Sequence, residues 1–290
     1  MHIRLSRAAA ALLAVGTAAA AEQPPPIGIP DLTGPRTLAL SAGVGNASGT
    51  EALFLNPAAI AARKRYVGDA IFLLDRRPGA ATGSTGRYYG ASVVDSVSAP
   101  LSAGMAYIRA QEGLYEGNFW HLALAGRIAE RLFLGLTGKY HSLSGPEKVR
   151  AGTLDVGLFW QVADAVSLGA TGYNLISTSH DEVTPRGVGA GVTIGSETSF
   201  QVMADWRADL DRNPSETKNR YGAGAEILLG RMFPVRAGYQ VDEVLDTHWW
   251  SVGAGIVTRQ VALDLGFRQS KDDASARTFA VALRGFFPSE

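Results

Sequence analysis

The sequence predicts an all-β fold, a transmembrane antiparallel up-and-down β-barrel of about 14 strands. Three observations predict this class. From Tyr66 onward large apolar residues recur at every second position, most of these runs are about nine to twelve residues long, and the connections between them alternate in length. Successive side chains of a strand point to opposite faces, so each run has one apolar and one polar face. About ten residues suffice for a tilted strand to cross a bilayer.

The alternation is clear in residues 200–206. Phe200, Val202 and Trp206 share one face, whereas Gln201 and Asp205 share the other. Residues 154–162, 261–268 and 278–287 follow the same pattern. The fourteen predicted strands are 66–74, 87–97, 101–110, 118–129, 132–143, 151–162, 165–175, 187–195, 198–208, 220–229, 233–241, 248–258, 260–269 and 277–288.

Long and short connections between the predicted strands alternate along the chain. The short ones are 98–100, 130–131, 163–164, 196–197, 230–232 and 259, and the longer ones are 75–86, 111–117, 144–150, 176–186, 209–219, 242–247 and 270–276. Outer-membrane barrels have tight periplasmic turns and longer extracellular loops. The first connection is long and the strand count is even, so both mature termini are expected in the periplasm. A soluble sandwich could bury the same apolar faces, but it gives no reason for this sorting.

The N-terminal 21 residues read as a signal peptide. Arg4 and Arg7 precede an apolar, alanine-rich run that ends in three alanines, the pattern of a cleavage site. A single membrane anchor is the alternative, but the run is short for a bilayer. Residues 22–34 are a proline-containing linker. The predicted location is the outer membrane of a Gram-negative bacterium, with the lipid itself as a partner.

Composition excludes several functional classes. There is no cysteine, so no disulfide or thiolate metal site can form. The net charge is 0, and −2 once residues 1–21 are removed, with no basic run for nucleic acid. No histidine spacing predicts a metal site, and no cofactor is expected. His141 and Ser142 are adjacent and would face opposite sides of a strand, so they cannot act together as a base and a nucleophile. The chain is therefore not expected to be an enzyme.

Glycines spaced two apart suggest close packing inside the barrel. They occur at 187, 189 and 191 and again at 222 and 224, within strand patterns. A dinucleotide loop would need a strand, a tight turn and the start of a helix. We expect instead that these glycines keep the wall thin where another segment packs against it.

Polar residues on the inner faces define candidate lumen positions. His121 is expected to face the lumen together with Arg127 on the same strand. The full predicted set is Asp69, His121, Arg127, Lys139, Asp155, Asp205, Arg207, Glu226, Arg236, Asp264, Arg268 and Arg284. They could line a transport path, or only pair with each other and with an inner segment. Aromatic residues near strand ends could form interfacial girdles: Tyr66, Trp120, Tyr140, Trp160, Tyr173, Trp206, Tyr221, Tyr239 and Trp250.

The most specific local motif is the apolar stretch 52–62. Asn56 can cap a helix, and Pro57 suits the first helical position. It could be a surface helix on the periplasmic side, but a short apolar helix directly before the first strand has few places to bury itself except the barrel mouth. We therefore expect residues 35–65 to form an N-terminal plug or hatch segment and residues 66–288 to form the barrel.

The stretch Thr37–Ala62, glycine-rich and then Phe-Leu-Asn-Pro-Ala, resembles the plug of FadL-like outer-membrane channels and their PorV/PorQ relatives. Further stretches are similar to the PorV/PorQ branch: 154–158 followed by Gly169 and 173–175, and 235–239 followed by 251–255. The resemblance implies a fourteen-stranded barrel with an N-terminal plug. Phe54, Asn56, Pro57 and Ala58 are the positions that match the plug motif.

Two functions follow as alternatives. The first is passive transport of small hydrophobic molecules across the outer membrane, with such a molecule as ligand. The second is a non-transporting accessory barrel of a secretion or cell-surface machine, as the PorV-like resemblance implies, with the proteins of that machine as partners. The loops lack the long apolar segments with which the fatty-acid channels capture ligand, which favours the second alternative.

Overall fold

The computed structural model describes residues 34–46, 49–78, 85–180, 183–211 and 216–287. The predicted signal peptide and all of the linker except Gly34 lie outside the described residues, as does Pro288 at the end of the predicted barrel.

The described residues before the barrel form short helices. They are α1 (Pro35–Leu40), a 3-10 helix (Gly49–Glu51), α2 (Ala52–Leu55) and α3 (Ala59–Ala62). Pro35 begins α1, where its missing N–H costs nothing. None of the helices in the described part of the chain has the length and hydropathy needed to span a bilayer.

The described residues then form fourteen strands. They are β1 (Tyr66–Arg76), β2 (Gly86–Asp95), β3 (Ser102–Glu112), β4 (Tyr115–Ala129), β5 (Leu132–Ser144), β6 (Val149–Ala163), β7 (Val166–Tyr173), β8 (Gly187–Gly195), β9 (Phe200–Asp209), β10 (Lys218–Leu229), β11 (Phe233–Asp242), β12 (Thr247–Val257), β13 (Val261–Ser270) and β14 (Arg277–Phe287).

The sheet closes into a barrel. Every strand pairs antiparallel with its neighbours in the chain, and β1 pairs with β14 from Tyr66 opposite Phe287 to Arg76 opposite Arg277. Closure leaves no unpaired sheet edge. The predicted all-β up-and-down barrel of fourteen strands is confirmed. We call the rim where β1 begins and β14 ends the termini end, and the opposite rim the loop end.

The strand faces match the predicted alternation. Leu263 and Val202 point outward and are 40% and 38% exposed, whereas Asp264 and Gln201 point inward and are each 1% exposed. Apolar side chains such as Leu263 and Val202 cover the outside of the barrel. The apolar exterior is the surface that hydrocarbon requires of a barrel wall.

Most loop-end connections are shorter than predicted, whereas the one between β7 and β8 is longer, because it spans residues 174–186. The predicted loop 111–117 is wrong: β3 and β4 continue to Glu112 and Tyr115 and are joined by two residues, Gly113 and Leu114. Gly113 has a φ of 58°, which allows a tight turn. Polar pairs such as Arg109 with Glu116 hold the extended ends together. At the termini end, the connection between β2 and β3 is longer than predicted, because it spans residues 96–101.

Aromatic side chains ring the outside near both rims. Trp120, Tyr140, Trp206, Tyr221, Tyr239 and Trp250 are exposed on the outer face towards the loop end, and Tyr66, Trp160, Phe200, Phe233 and Phe287 are exposed towards the termini end. Tyr173 is the exception to the prediction. It lies on the inner face, where its hydroxyl donates a hydrogen bond to the Leu55 carbonyl oxygen at 2.8 Å.

Candidate functional site

The described residues 34–46 and 49–62 lie inside the barrel. Leu38, Leu40, Val44 and Leu53 are fully buried. Helix α1 packs against β10–β14, whereas α3 packs against β3–β6. The segment therefore has two parts that contact opposite halves of the inner wall. We call residues 34–46 the first part and residues 49–62 the second part.

Glycines of the wall make room for this segment. A Cβ atom at Gly222 would overlap the Ser41 carbonyl, one at Gly224 or Gly238 would overlap the Leu40 backbone, and one at Gly266 would overlap Pro35. Gly135, Gly157 and Gly169 do the same for the second part and for Val44. The expected thin wall is therefore present at 191, 222 and 224. Gly187 and Gly189 face residues of the wall itself.

Hydrogen bonds and ion pairs tie the first part to the wall. Arg36 donates to both carboxylate oxygens of Glu226, from Nε and Nη2 at 3.1 Å each. One Asp205 oxygen accepts from the Gly43 and Val44 amides at 2.6 and 2.8 Å. The Ser251 hydroxyl donates to the Ala39 carbonyl at 2.9 Å. The Ser251 bond satisfies a carbonyl that the C-terminus of the short helix leaves unpaired, and Asp205 satisfies two amides of the chain that follows it.

Asn56 joins the two parts of the segment. Its Nδ2 donates to the carbonyls of Val44 and of Leu158 on β6, each at 3.0 Å. Its Oδ1 accepts from the Ala58 amide at 3.1 Å. The predicted helix start at Pro57 is therefore corrected: Asn56 closes a turn after α2, and α3 begins at Ala59 without a side-chain cap. Pro57 and Ala58 lie against Gly135 and Gly157 of the wall.

The structure places most of the predicted lumen set inside the barrel. Asp69, His121, Asp155, Asp205, Arg207, Glu226, Arg236, Asp264, Arg268 and Arg284 are buried, and the Lys139 side chain is nearly so. Arg127 differs. It is on the inner face, but β4 has an irregularity between Arg127 and Ala129, and its last three residues are exposed beyond the termini-end rim.

Many of these charges pair with one another. Arg236 bridges Glu226 and Asp264, and Lys139 contacts Asp155 at 2.6 Å. Arg284 is 3.6–3.8 Å from carboxylate oxygens of Glu51, Asp69 and Asp264. Asp69 also accepts hydrogen bonds from Thr50 and Ser92. Much of this charge is therefore structural, since a buried charge requires such partners.

Most of the polar network lies in one half of the interior, although Lys139 and Asp155 pair on β5 and β6 and Glu112 contacts Arg77 and Tyr88 near β2 and β3. Towards the loop end, Arg220 lies between Asp209 and Asp242 at 3.2 and 3.3 Å. Nearby, Arg268 donates to Thr278 at 2.9 Å, and its guanidinium lies over the Trp249 ring at 4.4 Å from the centroid. These contacts fill the lumen beside β9–β14 with charged and hydrogen-bonded groups.

The other half, beside β2–β7, is mainly apolar. Buried side chains here include Tyr88, Ile108, Phe119, Phe133, Leu143 and Phe159, and the second part of the inner segment packs against them. Phe54 is only half-buried although it lies inside the barrel, so it borders open space in the lumen. An apolar molecule would meet a compatible surface on this side of the barrel.

Two histidines lie within this apolar half. The rings of His121 and His141 stack with centroids 5.7 Å apart, and Phe54 contacts His121 at 4.9 Å between centroids. His121 was predicted to face the lumen, but its pairing with His141 was missed. The signal was available, because the tight turn predicted at 130–131 places position 121 opposite 139–140, one step from His141. Among the described residues, no group of three or more acidic or histidine side chains could hold a metal ion.

A cavity of about 410 Å³ lies at the termini end, between the first part and the wall. Its lining includes charged residues such as Arg36, Glu226 and Arg236 and apolar residues such as Leu228, Val257 and Phe286.

Glu197 stands at the rim of this cavity and contacts Arg63 and Arg65, the latter at 3.1 Å. Burial alone would raise the pKa of Glu197, but the arginines hold it below its usual value of 4.5. This ion-pair cluster ties the chain before β1 to the turn between β8 and β9.

Comparisons with known proteins identify the fold. No protein-family model matches the chain, and no curated protein matches its sequence. Among solved structures, the Ralstonia pickettii toluene transporter TbuX has a TM-score of 0.67 at 12% identity, covering 89% of this chain and 100% of that one. The monoaromatic hydrocarbon channel CymD has a TM-score of 0.67 at 14% identity, covering 91% and 98%. A Pseudomonas aeruginosa FadL homologue has a TM-score of 0.64 at 10% identity, covering 89% and 99%. The chain thus has the fold of the FadL-type hydrocarbon channels.

Proposed function

We propose that this protein is an outer-membrane channel for the passive passage of small hydrophobic molecules. The observation that carries the proposal is the mainly apolar half of the lumen beside β2–β7, which meets open space at Phe54. The apolar exterior, bounded near both rims by aromatic side chains, supports placement in a membrane. In this proposal the function is transport and not catalysis. The fold shared with channels described as toluene and monoaromatic hydrocarbon transporters supports the choice of cargo.

Residues 35–65 act in this proposal as the plug, with a cleaved signal peptide before them and both mature termini in the periplasm. The contacts of Arg36, Asn56 and Asp205 hold the plug in the closed barrel. The half-buried Phe54 is the plug residue that cargo would meet first on the apolar side. In this proposal the second part of the segment moves to let cargo pass. It can move because it is held mainly by apolar packing and by few ion pairs.

Uptake of radiolabelled toluene by a Gram-negative host that lacks related channels tests the proposal. Cells producing the protein should take up toluene faster than cells without it, and the rate should saturate. Phe54→Ala should change the saturating concentration. Phe72→Ala is the matched control, because Phe72 points to the outside of β1. Equal uptake with and without the protein would reject the transport function.

The alternative is a non-transporting accessory barrel of the PorV type. The charged network beside β9–β14 and the short loops at the loop end favour it, because both reduce the room for cargo. An accessory barrel should produce no toluene uptake in its intact form. It should instead co-purify with proteins of a secretion or surface machine in its native host.

A further inference from the structure

The histidine pair has hydrogen-bonding capacity that the protein does not use. His121 and His141 are 5% and 6% exposed. Nε2 of His121 and both ring nitrogens of His141 have no hydrogen-bond partner, and Nδ1 of His121 is 3.4 Å from the Leu53 carbonyl. Lys139, the nearest cation on β5, contacts Asp155 instead. Leaving buried polar atoms without partners costs stability, so a ligand that can form hydrogen bonds with these three nitrogens would gain from binding here.

The chemistry of the pair selects its ligand. A neutral imidazole presents one N–H donor and one acceptor nitrogen. A hydroxyl group also donates one hydrogen bond and accepts others, so it can satisfy two imidazoles at once. A pure hydrocarbon would leave the nitrogens unpartnered. A carboxylate can only accept, and would bring a charge into a largely apolar half of the lumen.

The surroundings of the pair favour an aromatic body for that ligand. Phe54 lies against His121, and the Phe119 ring is 4.8 Å from that of His141 in an edge-on arrangement. Leu143 and Ala151 adjoin His141 on the inner face and are buried. Flat rings pack well against such a set, by stacking or by edge contacts.

We propose that His121 and His141 form a recognition site for the hydroxyl group of a phenol that passes through the barrel. This inference rests on the proposed transport function and narrows its cargo. Phe54 lies against His121 and borders open lumen, so rotation of its ring exposes the imidazole of His121. The phenol ring then takes the place of Phe54 against His121, and its hydroxyl bonds to the ring nitrogens.

The test compares p-cresol with toluene, which differ by one hydroxyl group. Uptake of both is measured in cells that produce the wild type or the His121→Phe/His141→Phe variant, which keeps two flat rings and removes the nitrogens. We expect the half-saturating concentration of p-cresol to rise by about tenfold in the variant, the effect of losing roughly one hydrogen bond. Toluene uptake should not fall. Thr193→Val is the matched control, because it removes another buried, unpartnered polar atom on β8.

Calorimetric titration of the purified barrel with p-cresol separates this inference from the transport proposal. Binding to the wild type that the variant loses would support the site even if neither compound is taken up, which would reject transport alone. Equal p-cresol binding or uptake by both forms would overturn the site. If the variant does not fold, the imidazole ¹⁵N resonances of the wild type decide: they should shift on addition of p-cresol and not of toluene, and unchanged resonances would refute the proposal.

Discussion

Gly224→Ala should displace the inner segment from its seat. A Cβ atom at Gly224 would overlap the backbone of Leu40. Gly224 on β10 pairs with Gly238 on β11, and the Leu40 backbone packs against both glycines. Because the obstacle is backbone, α1 has to shift as a unit rather than rotate a side chain. Overpacking of this kind costs about 1–3 kcal/mol. Alanine in a free strand position would instead be favoured over glycine by roughly 0.5–1 kcal/mol.

Gly152→Ala is the matched control. Gly152 is exposed on the outer face of β6, and a Cβ atom there would have no neighbour within 4 Å. Both variants would be compared by thermal unfolding in detergent and by single-channel conductance in planar bilayers. Gly224→Ala should unfold at a lower temperature and conduct more than the wild type, whereas Gly152→Ala should be equal or slightly more stable. Indistinguishable variants would refute the view that the wall glycines seat the segment.

Four further predictions follow. Deletion of residues 35–65 should leave an inserted barrel of lower stability and higher conductance in planar bilayers; unchanged conductance would contradict the plug. Asn56→Ala removes three hydrogen bonds and leaves the Val44 carbonyl without this donor, so denaturant unfolding should report a loss of about 1–3 kcal/mol. Leu263→Arg should cost roughly 2–4 kcal/mol in a lipid refolding assay if Leu263 meets the hydrocarbon near its midplane, against a smaller cost at the rim position Val261. The pKa of Glu197 is lowered in the folded protein, so its ion pairs stabilise above the usual value of 4.5 and are lost as the pH falls through the folded value. The unfolding temperature of the wild type should therefore drop more steeply below about pH 5 than that of Glu197→Gln, and parallel pH profiles would exclude this role.

Some expectations failed where side chains or turns depend on distant partners. Tyr173 lies near a strand end, as a girdle residue would. However, its side chain is on the inner face of β7, where its hydroxyl donates a hydrogen bond to the Leu55 carbonyl. The predicted loop 111–117 contains polar residues typical of loops, yet cross-strand pairs extend β3 and β4 through them. Arg127 alternates with the lumen residues, but β3 pairs with β4 only as far as Ala125, so Arg127 lies at the exposed end of the strand.

The sequence by itself determined the number of strands, their approximate bounds and the face to which each side chain points. These properties are local, because the alternation of apolar and polar residues and the residues that form a turn are close together in the sequence. The match of Arg36 to Glu226, 190 residues away, was decided only by the tertiary structure. The same holds for the seating of Leu40 on Gly224 and Gly238, and for the histidine pair with unpartnered nitrogens. Each depends on how the closed wall and the segment inside it meet in space, which no local pattern encodes.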